Sequence, residues 1–324
     1  MPNWTTSDIP SQTGRIAVIT GATGGLGYET SLGLARAGAN VILTGRNASK
    51  GEVAMEQILR ACPQASVRYM DLDLASLGSV REFAKRFASE YGVLDLLVNN
   101  AGVMTPPKRY TTADGFELQF GTNFLSHFAL TARLLPSLRA AQAPRVVNLS
   151  SIAHRTFAAI HFDDLQSMRH YRPWRAYAQS KLAMLMFAIE LQRRSDSHGW
   201  GLVSVAAHPG YARTDLIANG PGDTWMQRIN AVTFEPLLSQ SATRGALSSL
   251  LAATSPDVEP GCYYGPTGPF ELKGTPGKVH ISHQAKDRTL AARLWEVSCG
   301  LTNTWWPEQQ GASAETTEVL GGAG

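Results

Sequence analysis

Short runs of β-branched and other apolar residues recur along the chain, each followed by a longer segment with helical spacing. The runs are RIAVIT (15–20), ANVILT (39–44), SVRYMDL (66–72), LDLLVNN (94–100), RVVNLS (145–150) and GLVSVAAH (201–208). Between them, apolar residues three and four apart predict helices near 25–37, 49–61, 78–91, 112–140, 177–195 and 240–253. Runs that are apolar on both faces belong in a parallel sheet covered on both sides. Strands alternating with helices in this way predict an α/β fold. The expected form is a doubly wound parallel sheet in three α/β/α layers, built from right-handed crossovers. Ligands of such sheets bind past the carboxyl ends of the strands.

The regularity frames a single domain over 15–307. Residues 1–14 are polar, carry Pro2, Pro10 and Gly14, and read as an N-terminal arm. From Tyr211 to Ser239, Gly220, Pro221, Gly222 and Pro236 mix with Trp225, Met226 and Phe234, a composition suited to a lid over an apolar ligand. Residues 259–277 hold four Pro and five Gly and read as irregular, apart from a short strand at 262–264. A last amphipathic helix is expected over His283–Gly300, and the tail 308–324 reads as flexible.

Of the 324 residues, 44% are hydrophobic and 17% charged, which excludes collagen-like and wholly disordered chains. The net charge is only +3 and the basic residues do not gather in one tract, so nucleic acid is not the partner that charge nominates. Cys62, Cys262 and Cys299 are far apart, without a CxxC pair, which argues against a disulfide framework or thiolate metal site. No secretory leader and no membrane span is legible, so the expectation is a cytoplasmic protein.

The first strand runs directly into Thr20-Gly21-Ala22-Thr23-Gly24-Gly25-Leu26-Gly27 and then a helix. Glycines let the backbone turn sharply and approach a pyrophosphate, whose charge the exposed N–H groups at the helix start favour. The spacing of Gly21, Gly25 and Gly27 differs from GxGxxG, but the strand-to-helix context is the one a dinucleotide loop requires. The second strand ends at Gly45-Arg46-Asn47, and no acid stands between Glu29 and Glu52. Arg46, with Lys50, therefore suits a 2′-phosphate and predicts NADP(H).

Tyr177-Ala178-Gln179-Ser180-Lys181 opens a helical stretch, so Tyr177 and Lys181 share one face. The fifth strand ends in Asn148-Leu149-Ser150-Ser151 and the fourth in Asn99-Asn100-Ala101-Gly102, at the edge where ligand is expected. With FGTNFLSHF and HPGYARTDL, these motifs occur in the order of the short-chain dehydrogenase/reductase family, which the chain resembles from about 14 to 300. Within it the chain looks most like the retinol dehydrogenase and protochlorophyllide reductase-like branch, on the long gap from Ser151 to Tyr177 and the late ARLWEVS (292–298).

That resemblance implies a Rossmann fold, with Tyr177 as general acid/base, Lys181 as its electrostatic partner and ribose ligand, and Ser151 as the carbonyl-binding hydroxyl. It also implies Asn123 as support for a proton-relay water, and Ser150 as the rival to Ser151. Asp73 and Leu74 fall to the adenine, Asn100, Ala101 and Gly102 to the cofactor wall, and Pro209, Gly210 and Thr214 to the nicotinamide side. A homodimer or homotetramer is implied as well, though the long segment before Tyr177 stands where it could obstruct the usual helix-to-helix contact.

Reduction of a carbonyl leaves negative charge on oxygen, which must be protonated. A phenol titrates near 10, and an ammonium about 5 Å away would ease proton release by about 3 kcal/mol, against an opposing push from burial. Met104, Phe157, Ile160, Phe162, Tyr171 and Trp174, with the lid aromatics, are candidates to line an apolar pocket. The expected activity is interconversion of a carbonyl and an alcohol on an apolar or aromatic molecule. Reduction of an activated C=C bond and a catalytically silent cofactor-binding regulator are the alternatives. His280 and His283 lack a third ligand for a metal, and His154 and His208 fall in structural stretches.

Overall fold

The computed structural model describes residues 4–156, 158–211 and 240–307. Each of the six apolar runs forms a strand: β1 Ile16–Ile19, β2 Asn40–Gly45, β3 Ser66–Asp71, β4 Leu96–Asn99, β5 Arg145–Leu149 and β6 Val203–Ala207. Two more follow, β7 Tyr263–Pro266 and β8 Pro276–Lys278. The sheet order is β3-β2-β1-β4-β5-β6-β7-β8, parallel throughout except for β8, which pairs antiparallel to β7. The order reverses between β1 and β4, and that switch point opens a crevice at their carboxyl ends.

Helices α1 Gly25–Arg36, α2 Ala48–Ala61 and α7 Ala242–Thr254 cover one face. On the other lie α3 Leu77–Glu90, α5 Ser126–Arg139, α6 Pro173–His198 and α8 Arg288–Thr302. These are the three layers expected. Among the described residues, no helix is long and apolar enough to cross a membrane.

Three boundaries differ from the sequence expectation. The helix expected over 112–140 begins later, because Gly115 (φ 85) turns the chain and Thr111 bridges to Glu117. Glu117 then caps the short α4 Leu118–Phe120, its carboxylate accepting from Gln119 and Phe120 N–H groups at 2.9 and 2.7 Å. A wide π turn, Gly121–Leu125, joins α4 to α5. Helix α6 begins four residues before Tyr177, with Pro173 at the first position, where its missing N–H costs nothing. The stretch 259–277 is more ordered than its Pro and Gly content suggested. It holds β7, the start of β8 and a 3₁₀ turn, Pro269–Glu271, with Pro276 tolerated because β8 is an edge strand.

The N-terminal arm is docked: Trp4 is buried under the α1/α7 layer, and Gln12 N–H donates to the Ala37 carbonyl at 2.8 Å. The expected lid is outside the described residues except for Tyr211, and so is the tail 308–324.

The helix face behind the crevice is fixed by an aromatic knot. Phe128 of α5 meets Phe187 of α6 at 5.3 Å between ring centres, and Trp295 of α8 and Trp306 at 5.0 and 5.4 Å. Phe128 is fully buried, so Phe128→Ala should cost about 3–5 kcal/mol of stability. Urea unfolding followed by tryptophan fluorescence measures this, and a loss below about 1 kcal/mol would contradict the packing described.

Candidate active site

Past β1 the chain turns through Gly21 (φ 63) and Gly25 (φ 53) into α1. A Cβ on Gly27 would overlap the Gly21 carbonyl oxygen and stand 2.6 Å from Asn100 Nδ2, so only glycine permits this crossing. Gly24 caps α1 without a side chain, leaving the first N–H groups of the helix to other acceptors. Thr23 stands against Gly45 at the end of β2, where Arg46 and Lys50 are exposed.

The loop is tied to β4 by one hydroxyl. Thr20 Oγ accepts from the N–H groups of Asn100 and Ala101 at 2.8 and 2.9 Å, while Asn100 Nδ2 donates to the Thr20 carbonyl at 2.7 Å. His127 Nε2 stands 2.9 Å from the same hydroxyl, and its Nδ1 lies 2.8 Å from the Asn123 carbonyl. A carbonyl only accepts, so Nδ1 carries the proton and Nε2 accepts from Thr20. Burial pulls this imidazole down to about 4, so it stays neutral at physiological pH.

Asn123 sits in the π turn, fully buried. Its Oδ1 accepts from Val103 N–H at 2.6 Å, and its Nδ2 donates to the Val103 carbonyl and to Ser180 Oγ, both at 2.9 Å. The side chain therefore buckles the 102–103 loop to α6. Its backbone carbonyl accepts from His127 Nδ1.

Ser151, Tyr177 and Lys181 come together around a cavity of about 240 Å³, with Asn100, Gly102, Pro209 and Gly210 also in its wall. The Ser151 and Tyr177 side chains both face this cavity, and the Ser151 hydroxyl is near enough to act on the phenol. Ser150 Oγ donates to the Lys181 carbonyl at 2.7 Å, which makes Ser150 a brace for α6. Lys181 Nζ donates to the Leu149 carbonyl at 3.0 Å and lies 5.8 Å from the centre of the Tyr177 ring.

A profile of the short chain dehydrogenase family matches residues 15–223. Retinol dehydrogenase 12 of Mus musculus is 40% identical over 295 residues, 90% of this chain and 88% of the relative. Polyprenol dehydrogenase of Homo sapiens is 37% identical over 298 residues, 90% of this chain and 86% of the relative. A crystal structure of an uncharacterized protein from Mycobacterium Paratuberculosis superimposes with a TM-score of 0.78 at 41% identity. It covers 94% of this chain and 99% of its own. The chain is a short chain dehydrogenase.

As a member of that oxidoreductase family it uses a nicotinamide cofactor, and the residues fit one. The glycine crossing leaves a cradle that a Cβ would fill, the first turn of α1 offers uncapped donors, and Lys181 supplies a buried ammonium. The remaining predicted cofactor residues lie outside the cavity wall. Asp73 Oδ1 accepts from Ala75 N–H at 2.9 Å, and the Leu74 side chain is buried in the core with its carbonyl holding Ser126 Oγ at 2.6 Å. Thr214 is outside the described residues.

The electrostatics correct one expectation. Burial dominates the Tyr177 phenol and pushes it above its ordinary value, with only the Ser151 hydroxyl pulling the other way. Lys181 is itself desolvated and pulled down to about 8. Without an anion beside it, this dehydrogenase holds a destabilised ammonium rather than an acidified tyrosine.

The substrate wall needs correcting too. Met104 and Trp174 do line the cavity. Ile160 and Phe162 pack on the core instead, with Arg293 stacked 4.0 Å over Phe162. Tyr171 OH donates to the Pro106 carbonyl at 2.8 Å and is a strut between loops. Phe157, Trp225, Met226 and Phe234 are outside the described residues. Leu26, Leu149, Ser150, Ile152 and Tyr211 complete the wall. The last two carried no signal beyond adjacency to Ser151 and Gly210. Among the described residues, no group of three or more His, Cys, Asp or Glu is placed to hold a metal ion.

The lysine shift has a sign that can be checked. The unfolded chain keeps the Lys181 proton up to its ordinary 10.5, whereas the folded cofactor-free protein releases it near 8. Between those values the unfolded state binds more protons, so stability should rise with pH. From about pH 8 to 10 the wild type should gain about 1–3 kcal/mol relative to Lys181→Met. Paired urea denaturation curves read this difference, and equal slopes would show that Lys181 is not desolvated.

Proposed function

We propose that this dehydrogenase interconverts a carbonyl and an alcohol on an apolar or aromatic small molecule, with NADP(H) as cofactor and Tyr177 as acid/base. The observation that carries the reading is the meeting of Ser151, Tyr177 and Lys181 in one largely apolar cleft beside the glycine loop.

In the reductive direction, the substrate oxygen accepts from the Ser151 and Tyr177 hydroxyls, and the Tyr177 proton passes to it as charge develops. The bound nicotinamide supplies the hydride. Ser151 then acts as a fixed donor of the oxyanion-hole kind, already oriented by the turn that follows it. Lys181 opposes the phenolate charge and reaches toward the ribose hydroxyls. Its ammonium, costly when alone, is favoured once an anion stands beside it. Asn123 holds the Gly102–Val103 loop against α6.

Two features support the finer parts. Arg46 and Lys50 are exposed where the ribose end of the cofactor would lie, and no acid offsets them before Glu52. Leu26, Met104, Leu149, Ile152 and Trp174 make the cleft apolar, and two relatives act, by their names, on retinol and polyprenol, both apolar alcohols.

Tyr177→Phe should lower kcat with NADPH and an aromatic ketone by at least about 10²-fold while leaving NADPH affinity within a few-fold. Unchanged turnover would remove Tyr177 as the acid. Arg46→Asp should move the ratio of kcat/KM values from NADP toward NAD by about 10-fold or more, as a bidentate phosphate contact is replaced by a repulsion. A wild type that already prefers NAD would refute the cofactor assignment.

A further inference from the structure

The two walls of the cleft come from different parts of the chain, and one carboxylate meets a residue that flanks each, Arg155 and His208. The serine wall continues from Ser151 into a 3₁₀ turn, Ile152–Arg155, whose His154 Nδ1 donates to the Ser151 carbonyl at 2.7 Å. Arg155, at the end of that turn, reaches Glu271 and donates to both its oxygens at 2.8 and 2.7 Å, and to the His280 carbonyl at 2.7 Å.

The opposite wall is Pro209–Gly210, following His208 at the end of β6. Gly210 N–H lies 3.1 Å from His208 Nδ1. A backbone N–H only donates, so Nδ1 is bare, and in the neutral ring the proton is on Nε2. That nitrogen stands 3.3 Å from Glu271 Oε2. The imidazole is fully buried and packs on Tyr263 at 5.0 Å between ring centres. It fits only because residue 265 is glycine, since a Cβ there would overlap the ring.

Glu271 is placed at a cost in backbone conformation. Phe270 (φ 54) and Glu271 (φ 58) are consecutive non-glycine residues in the left-handed region, and the turn leaves Phe270 87% exposed. The same turn sends the Leu272 carbonyl to Tyr211 N–H at 2.8 Å, against Gly210 (φ 67), where a Cβ would collide with that oxygen. A strained, outward-facing turn persists when the groups it orients hold it there.

We propose that Glu271 is a positioning residue that joins the serine wall to the Pro209–Gly210 wall, through Arg155 on one side and His208 on the other. It fixes the distance between the Ser151 hydroxyl and the nicotinamide side of the cleft. This rests on the cofactor and catalytic reading above. Glu271 touches neither substrate nor cofactor, and its effect passes entirely through the spacing of the groups that do.

Glu271→Gln keeps the shape beside His208 but removes the charge that Arg155 meets. Glu271→Ala removes both links. Three readouts are taken on the full chain: NADPH dissociation constant by fluorescence titration, kcat and KM on an aromatic ketone, and thermal midpoint. The expected result is a fall in kcat of about tenfold for Gln and more for Ala, with NADPH affinity weakened several-fold and ketone KM nearly unchanged. The thermal midpoint of the Gln variant should stay within a few degrees of the wild type. Values of kcat and NADPH affinity within about twofold of wild type in both variants would overturn the proposal. So would an activity loss that vanishes when rates are corrected for the folded fraction, because the role would then be structural only. A wild type that turns over no carbonyl substrate would sink the functional reading, and the NADPH titration of the two variants would still decide whether Glu271 sets the cofactor wall.

Discussion

The cleft exists because a parallel sheet cannot satisfy its own backbone where the strand order reverses. As β1 and β4 part, each leaving toward an opposite helical layer, the N–H groups past their ends lose their ladder partners. The Thr20 hydroxyl takes up two of them and Asn100 takes up the carbonyls of Thr20 and Gly21. Side chains here do what a neighbouring strand does elsewhere. The loop can then stay open to a ligand while these groups remain paired. His127 extends the tie into the π turn of Asn123, so the cofactor loop and the catalytic helices share one buried hydrogen-bonded frame.

A second constraint follows from burial. Lys181 is carried on α6 to the inner edge of the cleft, with the Leu149 carbonyl as the hydrogen-bond partner of its Nζ. An ammonium with so little solvation is poised for negative charge. The same burial raises the tyrosine, so tyrosine and lysine are each unfavourable in their charged forms when alone. Together, and beside a cofactor, each offsets the penalty of the other.

Much of this was legible from residue patterns, for identifiable reasons. Strands buried on both faces leave continuous apolar runs, and all six were placed to within a residue or two. The glycine loop was legible because close crossings such as Gly27 over Gly21 exclude every other residue. The start of the Asn123 helix was not, because Glu117 capping and the Gly115 turn interrupt a stretch whose apolar spacing continues through them. The β7–β8 edge was only half seen, since its sequence is rich in Pro and Gly and it joins the sheet through β6, distant in the chain. Aromatic residues between Ser151 and Tyr177 all had the composition of a pocket. Only packing separates Trp174, in the wall, from Phe162 under Arg293. The link from Arg155 to Glu271 spans 116 positions and has no local signature at all.

That last case shows how the catalytic edge is stabilised as a whole. Tyr177 and Lys181 share one helix, so their spacing is set by the helix and needs nothing else. Ser151 comes from the end of β5, and Pro209–Gly210 from the end of β6, both beyond the last ladder hydrogen bonds. Loops at strand ends relax unless something outside the sheet braces them. The C-terminal turn supplies that brace, with Glu271 against Arg155 and His208 and the Leu272 carbonyl on Tyr211 N–H. Its strained backbone is what places both groups at once. Strand β7, whose Tyr263 and Tyr264 are buried in the core, and the edge strand β8 paired to it are the support on which that turn is mounted.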